Sequence, residues 1–161
     1  MITLTDDITC PALPGFIADF FGFHAGLVGR QDLTEDGAVI LAQWRGEEHS
    51  VFTILEDAVP VGFVHLQKLG PIVVELADLY VVPARRGQGI GTAAIGLAED
   101  LAKQMPGIEA MTLQVMTRNE AALRLYHKLG YDTMSLVTLR KEFGENPRTG
   151  TADFAGLCFH I

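Results

Sequence analysis

The spacing of apolar and polar residues divides the chain into alternating helix and strand candidates. Residues 12–24 (ALPGFIADFFGFH) mix apolar and small residues and predict a first helix, despite Gly15 and Gly22. Residues 35–47 predict a short second helix. VFTILE (51–56) and VPVGFVHLQKL (59–69) flank the turn signal Asp57-Ala58 and predict a hairpin. Gly70-Pro71 ends it. IVVELADLYVV (72–82) is apolar on both faces apart from Glu75 and Asp78, the pattern of a central strand covered on each side.

From Ile90 onward Ile90, Ala94, Leu97, Leu101 and Met105 recur at helical spacing, until Pro106-Gly107. EAMTLQVM (109–116) alternates Met111, Leu113 and Val115 on one face, as a strand does. Asn119 is a good N-cap for a helix striped by Ala122, Leu125, Tyr126 and Leu129 and closed by Gly130. TMSLVTLR (133–140) and ADFAGLCFHI (152–161) predict two more strands, with GENPRTG between them as a loop. The order is helix, helix, hairpin, strand, helix, strand, helix, strand, strand. It fits an α/β layer built on a mixed sheet, in a single domain over residues 1–161.

Composition narrows the function. Twelve basic residues against 20 acidic ones give a net charge of −8, which repels nucleic acid and acidic membranes and attracts a cationic substrate. No stretch approaches the roughly 18 apolar residues of a membrane span. The first 30 residues lack the basic start of a secretory signal, so a cytoplasmic location is expected. Cys10 and Cys158 sit near opposite ends, and the five histidines show no HxxxH spacing, so no metal site is read.

Candidate chemistry concentrates in RRGQGIGT (85–92). Three glycines alternate with other residues between a strand and a helix. Glycine lets another molecule approach the main chain, and the unpaired N–H groups of a helix start favour an anion. The loop reads as a phosphate cradle or as a tight turn that binds nothing.

LYVVPARRGQGIG followed by NEAALRLYHKLGY resembles the GNAT superfamily of acyl-CoA-dependent N-acyltransferases. Arg86-Gly87-Gln88-Gly89-Ile90-Gly91 meets that family's Q/R-x-x-G-x-G/A loop. Asn119, Ala122, Tyr126, Lys128, Gly130 and Tyr131 meet its N-x-x-A-x-x-x-Y-x-K-x-G-Y/F segment. The resemblance implies a mostly antiparallel, twisted sheet flanked by helices, with a V-shaped opening between the strands at 72–82 and 109–116. Acetyl-CoA would lie there as cosubstrate. Its pantetheine arm would meet the main chain of Leu79, Tyr80 and Val81. Its pyrophosphate would meet Arg86 and the N–H groups from Gly87 through Gln88, Gly89, Ile90 and Gly91 to Thr92. Asn119 would contact the arm. Tyr126 would protonate the leaving thiolate.

Glu75 occupies a position where family members place a catalytic glutamate, and Asp78 competes with it. Strand alternation puts the two on opposite faces unless a bulge intervenes, and a water chain is the third candidate for the base. Arg85 reads as a contact to the CoA phosphates or as a solvated charge, and Arg124 and Lys128 as reaching the nucleotide end or as a solvated helix face. Trp44 and His65 fall where family members line the acceptor pocket, with core packing the reading preferred for Trp44. His65 has no assigned role. The activity implied is acetyl transfer to a primary amine of a small cationic metabolite, protein or peptide, in a ternary complex. Neither cysteine lies in the matched segment, which argues against an acyl-enzyme. The alternative is an acyl-CoA-binding sensor or interaction module without turnover. A homodimer is left open.

Overall fold

The computed structural model describes residues 1–27, 36–117, 119–144, 148 and 150–161. They form two compact units, Met1–Gln114 and Val115–Ile161.

The first unit is a five-stranded sheet in chain order: β1 (Ile2–Thr5), β2 (His49–Glu56), β3 (Val59–Lys68), β4 (Val73–Val81) and β5 (Ala110–Leu113). The first four strands run antiparallel, and β5 is parallel to β4. The predicted hairpin is β2–β3. Its turn residues Asp57 and Ala58 both have positive φ, 48° and 67°, which matches the right-handed twist of the flanking strands. The sequence pattern missed β1, whose four residues pair with the far edge of β2.

Helices α1 (Leu13–Leu27) and α2 (Gly37–Gln43) cover one face of this sheet. Leu13, Ile17 and Phe20 of α1 and Ile40 and Leu41 of α2 form one buried cluster with Val51, Phe63 and Tyr80. Asp36 caps α2, accepting from the N–H groups of Ala38 and Val39. The second helix is thus shorter than the predicted 35–47, and Glu35 lies outside the described residues.

Helix α3 (Ile90–Gln104) packs through Ile90, Ala94, Ile95, Ala98 and Ala102. The expected stripe holds at Ile90 and Ala94 only; Leu97 is exposed, and Leu101 and Met105 are half-buried. Three of the five buried residues are alanines, whose small side chains let a helix lie close against its neighbours.

The second unit contains α4 (Glu120–Lys128) and a hairpin of β6 (Thr151–Phe154) and β7 (Leu157–His160). The Asn119 side chain accepts from the Ala122 N–H, as its N-cap assignment requires. The predicted strand at 133–140 pairs with no strand among the described residues, and its Met134, Leu136 and Leu139 are exposed. Strand propensity there is not matched by a partner ladder. The stretch 152–161 is two strands rather than one, because Ala155 and Gly156 take positive φ and turn the chain. The predicted loop at 144–150 falls largely on residues outside the description. No described helix is long and apolar enough to cross a membrane.

Gly62 marks the tightest approach between β3 and β4. A Cβ there would lie 2.0 Å from the Tyr80 carbonyl oxygen, a main-chain atom that cannot swing aside. Gly62→Ala is therefore expected to destabilise the first unit by about 1–3 kcal/mol or more, read as a lower urea midpoint.

Candidate active site

Two register shifts assemble the polar groups. In the β2–β3 ladder Leu55 faces Pro60 but Ile54 faces Gly62, so Val61 is an extra residue in β3. In the β3–β4 ladder His65 faces Asp78 but Leu66 faces Leu76, so Ala77 is an extra residue in β4. His65 and Gln67, two apart on β3, share a face, and so do their partners Asp78 and Glu75. The bulge at Ala77 therefore overrides the simple alternation that would put the two carboxylates on opposite faces.

This is the face that α1 and α2 cover. Beside its apolar cluster runs a polar row. Asp78 Oδ2 accepts from His65 Nδ1 at 2.7 Å, and His65 Nε2 lies 2.9 Å from His49 Nδ1. His65 is 2% exposed, and Trp44 stacks on its ring with centroids 4.0 Å apart. Burial, with the charge of His65 next, holds the His49 pKa below the ordinary histidine range, against the pull of Glu48. On the neighbouring rung buried Glu75 accepts from the Gln114 side chain at 3.0 Å. Trp44 is thus both core packing and the lid of a histidine.

Further along β4 the Tyr80 hydroxyl donates to Asp19 of α1 at 3.1 Å. Burial, then the Asp19 charge, pushes the Tyr80 pKa up, so this phenol stays protonated. The Arg86 guanidinium lies over the rings of Phe23 and Tyr80, and its Nε donates to the Val81 carbonyl at 2.8 Å. Arg86 thereby ties the start of the glycine loop to the end of β4. Arg85 pairs with Glu56 and Arg124 with Glu120.

The β4–β5 ladder runs only from Val73↔Ala110 to Leu76↔Leu113. From the Ala77 bulge β4 continues to Val81 without β5 beside it. The main chain of Leu79, Tyr80 and Val81 thus lies on an edge of β4 that has parted from its parallel neighbour. Directly after it come a 3-10 turn at Pro83–Arg85 and the glycine loop. Gly87 and Gly89 take φ of +73° and +82°, a conformation that disfavours side chains, and Gly89 is the residue before the first turn of α3. Gly91 has no such constraint, and a Cβ on it would meet nothing within 4 Å. The chain's own packing therefore does not explain the bareness of Gly91.

Asn119 and Tyr126 belong to the second unit. Asn119 caps α4, and the Tyr126 ring meets Tyr131 edge-on at 6.0 Å. Sequence reading named every member of the polar row except His49 and Gln114. His49 precedes VFTILE and carries no local signal; only its diagonal contact with His65, one rung over from its own partner Gln67, reveals it.

The profile of the acetyltransferase (GNAT) family matches residues 18–131, and the chain belongs to that family. An uncharacterized N-acetyltransferase of Methanocaldococcus jannaschii is 32% identical over 99 residues, which are 56% of this chain and 42% of that protein. The curated relatives matched are longer proteins, of which the matches cover 21–42%. Among solved structures, a transcriptional regulator of Bacillus halodurans C-125 superposes with a TM-score of 0.69 at 19% identity, over 89% of this chain and all of that one. AAC(6')-Iy, in complex with the bisubstrate analog CoA-S-monomethyl-acetylneamine, gives 0.63 at 18% identity over 88% and 97%. These two share the fold.

The loop glycines separate in a stability measurement. Gly89→Ala, at positive φ, is expected to cost about 1–2 kcal/mol. Gly91→Ala, unstrained and uncrowded, is expected to be neutral or to stabilise by up to about 1 kcal/mol. Thermal unfolding of both variants checks the difference in sign.

Proposed function

We propose that the protein transfers an acetyl group from acetyl-CoA to a primary amine, of a small cationic metabolite or of a protein or peptide, by direct attack in a ternary complex. The observation that carries this reading is the bare helix start at Gly91, reached from a β4 edge that has parted from β5. Main-chain groups of Leu79, Tyr80 and Val81 would hold the pantetheine arm. N–H groups from Gly87 to Thr92 would hold the pyrophosphate, with Arg86 fixing the loop and Asn119 near the arm. Acetyl-CoA supplies the activated acyl group as a thioester; the CoA analog held by one structural neighbour supports that assignment.

The protein's own contribution is proton management and orientation. An alkylammonium has no lone pair until it loses a proton, so the acceptor needs a base. Glu75 and Asp78, brought to one face by the Ala77 bulge, are the carboxylates proposed to drive that deprotonation, directly or through groups bonded to them. The amine loses a second proton as it forms the amide, and the departing thiolate gains one. Tyr126 is proposed to donate it, on the strength of the motif around Asn119. The net charge of −8 favours a cationic acceptor.

Gly91→Leu projects a side chain from the helix start into open space, so the fold is expected to persist while acetyl-CoA affinity falls at least tenfold by calorimetry. Unchanged affinity in the folded variant overturns the cradle. Tyr126→Phe is expected to lower kcat about 10²-fold or more with CoA affinity retained, if proton donation is its role. A single-turnover rate equal to wild type excludes that role.

A further inference from the structure

Asp78, His65 and His49 form a continuous hydrogen-bonded chain across three strands, and its polarity follows from chemistry. An ionised carboxylate has no proton to donate, so His65 Nδ1 must carry the hydrogen it shares with Asp78. In neutral His65 the other nitrogen, Nε2, is then a lone pair. It can hold its 2.9 Å contact with His49 only if His49 Nδ1 donates. That fixes the His49 tautomer and leaves His49 Nε2 as a lone pair at the outer end. Of the two imidazoles, only His49 then presents an open lone pair for a proton.

We propose that His49 is the proton entry of a base relay for the acceptor amine, with His65 and Asp78 as the positioning residues behind it. This deepens the acetyltransferase reading and rests on it. In the step, the ammonium N–H bond breaks and its proton forms a bond to His49 Nε2, directly or through one water. The Nδ1 proton of His49 passes to His65 Nε2. His49 is neutral again, and His65 is an imidazolium held against the Asp78 carboxylate. The proton leaves to solvent by the reverse path once the product has gone.

The surroundings suit a cation at His65. The Trp44 face, 4.0 Å from the ring, attracts an imidazolium, and the Asp78 carboxylate is 2.7 Å away. The other charged groups described near this face include Arg86, whose guanidinium lies over Tyr80 and Phe23 and is bonded to the Val81 carbonyl. Glu75 on β4 is bonded to Gln114, Glu48 precedes His49 at the start of β2, Asp19 of α1 is bonded to Tyr80, and His24 of α1 donates from Nδ1 to the Phe20 carbonyl. Burial, the larger cause, holds the His49 pKa below its ordinary value, so its lone pair is available at neutral pH. A merely structural His65–Asp78 pair would not need a second imidazole in line with it.

Nitrogen-15 NMR of histidine-labelled protein tests the relay without substrate. The expected result is a His49 that carries its proton on Nδ1 in its neutral form. In Asp78→Asn, loss of the counter-charge should move the His49 midpoint to lower pH. An unmoved His49 midpoint in that variant, or a His49 carrying its proton on Nε2, overturns the proposal.

Kinetics with spermidine and n-butylamine as probe acceptors supply the second readout. His49→Gln should lower kcat/KM about 10²-fold or more at low pH, with the loss shrinking as rising pH frees neutral amine. A wild-type pH profile in His49→Gln overturns the role of His49. Failure of the wild-type protein to bind acetyl-CoA would instead sink the acetyltransferase reading, and the ring titration would still decide whether the relay exists.

Discussion

Two surplus residues, Val61 in β3 and Ala77 in β4, set the side-chain alignment on which the polar face depends. A strand alternates faces with a period of two, so one inserted residue reverses every side chain beyond it relative to its neighbour. Without the shift at Val61, His49 would face away from His65. Without the shift at Ala77, Glu75 would face away from Asp78. The His49–His65 and His65–Asp78 bonds cross β3, and the slips on either side of it bring His49 and Glu75 onto the face that this pair occupies.

The Ala77 slip has a second effect at the same place. It sits where the β4–β5 ladder stops, so β4 leaves its parallel partner as its carboxylates come onto one face. The residues that follow lead into the glycine loop. Polar row, open edge and helix N-terminus therefore succeed one another along β4 within a short length of chain. Arg86 closes the sequence by holding the loop to the Val81 carbonyl and stacking above Tyr80.

Local chemistry made much of this legible beforehand. The Asp57-Ala58 turn, the covered strand through Glu75 and Asp78, the glycine loop, and Asn119 capping a helix striped by Tyr126 all rest on residues close in sequence. What the pattern concealed depends on partners. Neither Val61 nor Ala77 looks different from its strand neighbours, so neither bulge shows in composition. β1 has only four residues, and a strand that short is defined by the ladder it joins. Strand-like residues 133–140 join no such ladder among the described residues, whereas Ala155-Gly156 makes a hairpin from what reads as one run. The buried stripe of α3 shifted from Leu97, Leu101 and Met105 to alanines, because closeness to its neighbours outweighed side-chain size.

The stacking of Trp44 on His65 has an optical consequence. The chain has one tryptophan, and that indole lies face to face with the buried imidazole. An imidazolium quenches indole emission far more strongly than a neutral imidazole does. The tryptophan emission of this protein therefore responds to charge on the stacked imidazole, and a proton arriving there would announce itself as a dimming without any label.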